Sequence, residues 1–234
     1  MIIHPSKPDG SGTVSNGLAR YYERAGRVSR IHPISRLDRW TSGVILFAKD
    51  SYTANLLGGS LRAGNFIKEY LGVSRGAPEP RTGSIDLPIG RVDGFIMLRA
   101  VRCGGKRSLT FYETLYSTDG LTLMLLRPVT GRTHQLRVHL SAIGCPLLSD
   151  GLYGPAGPAP QPTGPAPQPG ASGVFEGFDG RDGGDASLIG RQALHSYRLT
   201  FPHPYKDKKI IVTGEVPADF KSLLTKLSVP DGLV

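Results

Sequence analysis

LTFYETLYSTDGLTLMLLRPVTGRTHQLRVHLSAIG, residues 109–144, decides the class of fold. Residues 109–116 and 121–126 are apolar and β-rich, and between them lies Asp119-Gly120. Two-residue hairpin turns prefer such a pair because both central positions take positive φ. After the hairpin the period changes. Leu136, Leu140 and Ile143 recur at helical spacing over residues 133–143, with Gly144 placed to end the helix. The connecting Thr130-Gly131-Arg132 reads either as an ordinary cap or as an anion site at a helix N-terminus.

The flanking sequence extends this pattern. Residues 66–73, FIKEYLGV, are strand-like, 85–89 form a short extended piece, and 44–47 read as a fully buried strand. Thr13 offers an N-cap to an amphipathic helix with Val14, Leu18, Tyr21 and Tyr22 on one face, ended by Gly26. Asp50 or Ser51 caps a second helix carrying Tyr52, Leu56, Leu57 and Leu61. Residues 194–201 alternate, 210–213 form another strand, and Pro217 opens a closing helix with Phe220, Leu223, Leu224 and Leu227. The fold class is therefore α+β, a mixed, mainly antiparallel sheet flanked by a few helices.

One stretch departs from it. GPAPQPT at 157–163 and GPAPQPG at 164–170 repeat one heptapeptide, and glycine-rich sequence follows to about residue 190. Proline at this density suits neither a sheet nor a helix interior, so 154–190 is expected to be a PPII-like or disordered surface loop. A proline-motif ligand for another protein is the other reading. Strand signals resume afterwards, so the loop is expected to be an insertion within a single domain spanning 1–234.

Composition narrows the chemistry. Lys and Arg number 28 against 19 Asp and Glu, and 19 of the 28 are arginine, whose planar fork suits phosphate. Arg20, Arg24, Arg27, Arg30, Arg36 and Arg39 are offset only by Glu23 and Asp38, while Arg99, Arg102, Lys106 and Arg107 have no acid among them. A solvated basic face is the plain reading of either segment, and two of them point to RNA or DNA. No apolar run reaches the roughly 20 residues of a membrane span, so a soluble, intracellular and cytoplasmic protein is expected. Cys103 and Cys145 have neither metal-ligand nor redox spacing. His134 and His139 would lie about 140° apart on a helix, and GxSxG and phosphate-loop motifs are absent. What remains is SRLDRWTSG, residues 35–43, in which Asp38 stands between Arg36 and Arg39. By itself this is a surface ion pair or a turn cap.

RLDRWTSG at 36–43, KEYLGVSRG at 68–76, RPVTGRTHQLRVHLSAIGCPLLSDGLYG at 127–154 and LHSYRLTFPHP at 194–204 occur together. In order and spacing they resemble the RluA-type pseudouridine synthases. The resemblance implies isomerisation of uridine in ribosomal or transfer RNA to pseudouridine, on a base flipped out of the stack. It implies that Asp38 is the nucleophile, attacking the base or the sugar. Tyr70 resembles the tyrosine that packs on uracil and helps remove the C5 proton, Arg137 the arginine paired with the catalytic carboxylate, and Arg36 the one that enters the RNA stack. Arg39, Arg132, Thr133, His134 and Gln135 are carried over as substrate-binding positions. A guanidinium beside the aspartate opposes the penalty that burial imposes on a carboxylate's charge. Flipping costs a few kcal/mol and stacking on an aromatic returns about 1–3 kcal/mol per base. Neither cofactor nor metal is implied, and a monomer is expected.

The sequence also departs from the family pattern. Ser35 stands where His is common. The strand and NKP-like segment that usually precede His4-Pro5-Ser6 are not in this sequence, so the sheet is expected to lack an edge, and no S4-like module is expected. A catalytically silent RNA-binding or RNA-chaperone domain of the same fold is the reading from a second class, and a metal-dependent nuclease a third.

Overall fold

The computed structural model describes residues 13–26, 30–155 and 188–233. The expectations for residues 4–6, and for most of the proline-rich stretch, lie outside the described residues. In chain order the elements are helix α1 (Val14–Arg24), strands β1 (His32–Pro33), β2 (Ser42–Gly43) and β3 (Phe47–Ala48), and helix α2 (Ser51–Arg62). Strands β4 (Ile67–Arg75), β5 (Thr82–Asp86), β6 (Ile89–Arg91), β7 (Arg99–Val101), β8 (Leu109–Thr118) and β9 (Leu121–Pro128) follow. Helix α3 (Gln135–Ala142), strands β10 (Leu194–Pro202) and β11 (Lys209–Thr213), and helix α4 (Ala218–Lys226) complete the chain.

The main sheet has the order β11-β10-β4-β9-β8-β5, with every neighbour antiparallel, and β2 joins β10 in parallel. The sheet is thus mixed and mainly antiparallel. Its central hairpin turns at Asp119 and Gly120, with φ of 47° and 74°, which places Thr118 opposite Leu121. Successive residues of a strand face opposite sides, and β4 and β9 use both. Leu71, Val73 and Leu123 pack with Phe220, Leu223 and Leu227 of the α4 region, whereas Met124 and Leu126 pack with Leu136 and Leu140 of α3, where Tyr70 joins them. Helices therefore cover both faces of the sheet's centre, and Tyr70 lies on the α3 side.

Local chemistry sets the helix ends. Thr13 caps α1 by accepting from the Asn16 N–H, and Asp50 caps α2 by accepting from the Thr53 N–H at 2.7 Å. Helix α3 starts two residues later than its apolar spacing suggests, because His134 takes a left-handed φ of 58° before it.

Two strand expectations need correction. The buried strand expected at 44–47 is reduced to Phe47–Ala48, and Val44, Ile45 and Leu46 are half-buried. Their backbone is used elsewhere: the Val44 N–H donates to the Ser196 carbonyl at 2.9 Å, and the Leu46 carbonyl accepts from Ile34 at 2.8 Å. The extended piece expected at 85–89 splits, because β5 pairs with β8 while β6 turns away to pair with β7.

Gly43 makes the approach of β2 to β10 possible. Its φ is +112°, and an added Cβ would overlap the Ser196 carbonyl oxygen and lie 2.7 Å from that residue's nitrogen. Gly43→Ala is expected to destabilise the protein by about 2 kcal/mol or more, combining backbone strain with overpacking. Urea unfolding checks this, and an unchanged midpoint would contradict it.

Candidate active site

The loop between β1 and β2 carries Asp38. Thr41 N–H donates to the Asp38 carbonyl at 3.0 Å, closing a turn in which Trp40 takes a φ of 69°. Residues just before β10 hold the turn by its backbone. Gln192 Nε2 donates to the Arg39 carbonyl at 2.6 Å and to Thr41 Oγ1 at 3.3 Å. Arg191 Nη1 donates to the carbonyls of Trp40 and Leu194, both at 3.1 Å, while its Nε and Nη2 bind the Asp219 carboxylate at 2.7 and 3.1 Å. Ser42 Oγ lies 2.9 Å from His195 Nδ1. Because the contacts are made to main-chain oxygens, the Asp38 side chain is positioned without being used up. Arg36 and Arg39 are exposed at the rim, and the Arg39 guanidinium lies 5.1 Å from the Trp40 ring centroid.

Three other segments carry groups on which the Asp38 charge acts. Tyr70 on β4 is the cross-strand partner of Ser196. Burial pushes its hydroxyl up to about 12, with a Ser196 hydrogen bond opposing and the Asp38 charge adding to the rise. His134, buried before α3, is held down at about 4, chiefly by burial; Asp38 opposes the shift and Arg137 adds to it. Arg137 projects from α3, and burial works against its charge, yet the charges of Asp150 and Asp38 hold its pKa above the usual arginine range. Burial also raises Tyr153, with a contribution from Asp38. Among the described residues, the Asp38 charge acts on Tyr70, His134, Arg137 and Tyr153 alike.

The hydrogen-bond partner of Arg137 differs from the expected one. Its Nε and Nη2 donate to the two carboxylate oxygens of Asp150 at 2.7 and 2.6 Å, in a pair that is almost wholly buried. Asp150 Oδ1 also accepts from the Leu152 and Tyr153 N–H groups, each at 3.0 Å. Four donors on one buried carboxylate hold it ionised against burial. Arg137 consequently acts on Asp38 through its charge, while its hydrogen bonds belong to Asp150. The guanidinium lies 5.0 Å from the Tyr153 ring centroid, and Tyr153 Oη lies 2.7 Å from His134 Nδ1 and accepts the Arg99 N–H at 3.1 Å.

The remaining expected positions divide. Gln135, expected to bind substrate, is 3% exposed and spends its side chain inside the protein. Its oxygen accepts from Thr130 Oγ1 at 2.7 Å and from the Arg132 N–H at 3.0 Å, and its nitrogen donates to the Leu109 carbonyl and Thr110 Oγ1, both at 3.0 Å. It ties the turn before α3 to β8. Arg132 and Thr133 line a neighbouring cleft. The rings of His134 and His139 address different partners, Tyr153 for one and Thr110 with the Leu87 carbonyl for the other. The sequence reading missed Asp150, Tyr153, Arg191, Gln192 and Asp219. For Asp150 a signal existed, since it is the acidic residue that follows Arg137 within the same motif. For Arg191 and Gln192 there was none.

Residues 1–142 match the sequence pattern of the RNA pseudouridylate synthase family. The chain belongs to this family. An uncharacterized RNA pseudouridine synthase of Bacillus subtilis, YjbO, is 32% identical over 220 residues, covering 94% of this chain and 68% of that protein. The ribosomal large subunit pseudouridine synthase D of Vibrio parahaemolyticus is 34% identical over 227 residues, covering 97% of this chain and 65% of that one. The chain therefore spans about two thirds of the length of these relatives. Among solved structures, human RNA pseudouridylate synthase domain containing 4 superposes with a TM-score of 0.71 at 27% identity, covering 97% of this chain and 87% of its own.

Two outcomes follow for this cluster of side chains. Asp150→Ala is expected to cost about 3–5 kcal/mol, because Arg137 is left buried and unpaired. The double variant Arg137→Met/Asp150→Leu is expected to recover most of that stability in denaturant unfolding, and a double variant as unstable as the single would overturn this account. The second outcome concerns pH. His134 has a folded value of about 4 against 6.5 for the free side chain, so below pH 6.5 the unfolded chain binds the extra proton first. Its contribution to stability is complete above pH 6.5 and is lost as pH falls towards 4. The melting temperature is expected to fall across that window, and more steeply in wild type than in His134→Gln.

Proposed function

We propose that this chain converts uridine in RNA to pseudouridine with Asp38 as the nucleophile. The observation that carries this reading is the convergence of Tyr70, His134, Arg137 and Tyr153, from separate elements, on the charge of Asp38. The glycosidic bond from C1′ to N1 breaks, uracil turns, C5 bonds to C1′, and the C5 proton is released while N1 gains one. Atoms and oxidation state are unchanged overall, so side chains suffice for the chemistry.

Each residue has a part in this scheme. Asp38 attacks the base or the sugar and holds the two fragments together while uracil turns. Arg137, fixed by Asp150, supplies a positive charge that interacts with the Asp38 carboxylate. Tyr70 keeps its proton at neutral pH, so it serves as an uncharged ring that packs on the uracil face rather than as a base, and the C5 proton passes to solvent. Arg36 and Arg39, exposed on the same loop as Asp38, meet the RNA where the target base leaves its stack. The substrate is ribosomal or transfer RNA. The curated relatives named above include one whose name specifies the large ribosomal subunit. Among the described residues no helix is long and apolar enough to cross a membrane. A single monomeric catalytic domain, interrupted between β9 and β10 and working in the cytoplasm, completes the proposal.

The test is release of tritium from C5-labelled uridine in cellular RNA. Wild type is expected to release label, and Asp38→Ala to lower release by about a thousandfold or more with RNA binding retained. Binding without release by wild type would establish a silent RNA-binding domain instead.

A further inference from the structure

A concavity is linked to the Asp38 site through Arg99, Tyr153 and His134. It is a cleft of about 430 Å³ between the β6–β7 hairpin and the turn before α3, and Arg91, Arg99, Lys106, Arg132 and Thr133 are among the side chains lining it. No carboxylate lines it, and none of the four cations forms an ion pair with a carboxylate among the described residues. Nearby charges are balanced differently: Arg102 is paired with Asp93 at 3.1 Å, and Arg107 lies 3.9 Å from Asp86. The charges of Arg91, Arg99, Lys106 and Arg132 are thus left without a carboxylate partner among the described residues.

The backbone is open there as well. Gly104 and Gly131 both line the cleft, and neither N–H finds a partner among the described residues. A Cβ at Gly104 would meet nothing within 4 Å, and one at Gly131 would meet only Lys68 Nζ, at 3.6 Å. Gly131 has no positive φ, so neither backbone geometry nor crowding demands glycine at that position. Lys68 lies on the same face of β4 as Tyr70, and it forms no ion pair among the described residues. The opposite wall also leads back to the reaction site, through Arg99 N–H to Tyr153 Oη and from there to His134 Nδ1. A multiply basic cleft, two open backbone donors and contact with the Asp38 site on two sides match one ligand chemistry, a phosphodiester.

We propose that this cleft binds a backbone phosphate of the RNA strand beside the target uridine, with Lys106, Arg132 and Arg99 as its charged contacts and the Gly104 and Gly131 N–H groups as its backbone donors. This rests on the synthase reading of the Asp38 site and adds to it an anchor that sets how deeply the flipped nucleotide enters. Lys106 and Arg132 are exposed, and Arg132 Nε donates to the Arg107 carbonyl at 3.1 Å, so removing their charge is expected to leave the fold intact.

The experiment uses the full chain carrying Asp38→Ala, so that turnover does not disturb binding, and a fluorescein-labelled RNA hairpin with one uridine in its loop. Dissociation constants are measured from 50 to 300 mM KCl for this background, for Lys106→Gln/Arg132→Gln, and for Lys208→Gln/Lys209→Gln, two exposed lysines on the far strand pair. The cleft variant is expected to bind about tenfold or more weakly at the lowest salt, with a log–log salt slope shallower by about one to two, and the control by clearly less. Equal slopes for the two double variants overturn the proposal. Tritium release by the wild-type chain is measured in parallel. Its absence counts against the synthase reading alone, because the slope comparison decides the cleft without turnover.

Discussion

The buried pair between Arg137 and Asp150 is the constraint on which the site depends. Removing two such charges from water costs on the order of several kcal/mol per ion, and only good geometry with further hydrogen bonds offsets it. Both conditions are met by the bidentate contact and by the Leu152 and Tyr153 N–H groups. The pair joins the inward face of α3 to the turn at residues 150–154. Tyr153 is thereby brought against the guanidinium and against His134. A positive charge held by buried hydrogen bonds then interacts with Asp38.

The loop of Asp38 is held by a different device. Its main-chain oxygens are bound by Arg191 and Gln192, residues that arrive from just before β10, and Arg191 is itself held by Asp219 at the start of α4. The closeness of Gly43 to Ser196 removes the remaining slack. Since Ser196 also faces Tyr70 across the strands, one short stretch of β10 sets the position of both the carboxylate and the aromatic ring. Precision in the site thus comes from a sheet strand and a helix start rather than from the loop's own structure.

Much of this could be read from the chain. The hairpin at Asp119-Gly120, the caps at Thr13 and Asp50, and the apolar stripes of α3 and α4 are local events, set by φ preference, by capping oxygens and by hydrophobic period, so neighbouring residues suffice to predict them. Family resemblance carried Asp38, Tyr70 and Arg137 to candidate roles because their motifs are contiguous. That the Gln135 side chain bonds inside the protein was not legible, since a polar side chain in a motif looks the same whether it faces a ligand or closes a turn internally.

The sequence by itself determined the α+β class, most of the elements and the family to which the chain belongs, because periodicity, turn chemistry and contiguous motifs are properties of neighbours along the chain. Only the tertiary structure decided that Arg137 gives its hydrogen bonds to Asp150, that Arg191 and Gln192 seat the Asp38 turn, and that Lys68, Gly131 and the β6–β7 hairpin meet around a basic cleft. Those contacts join residues from separate elements, some more than a hundred positions apart. Which buried donor meets which acceptor is settled by the packing of strands and helices, and no local pattern encodes it.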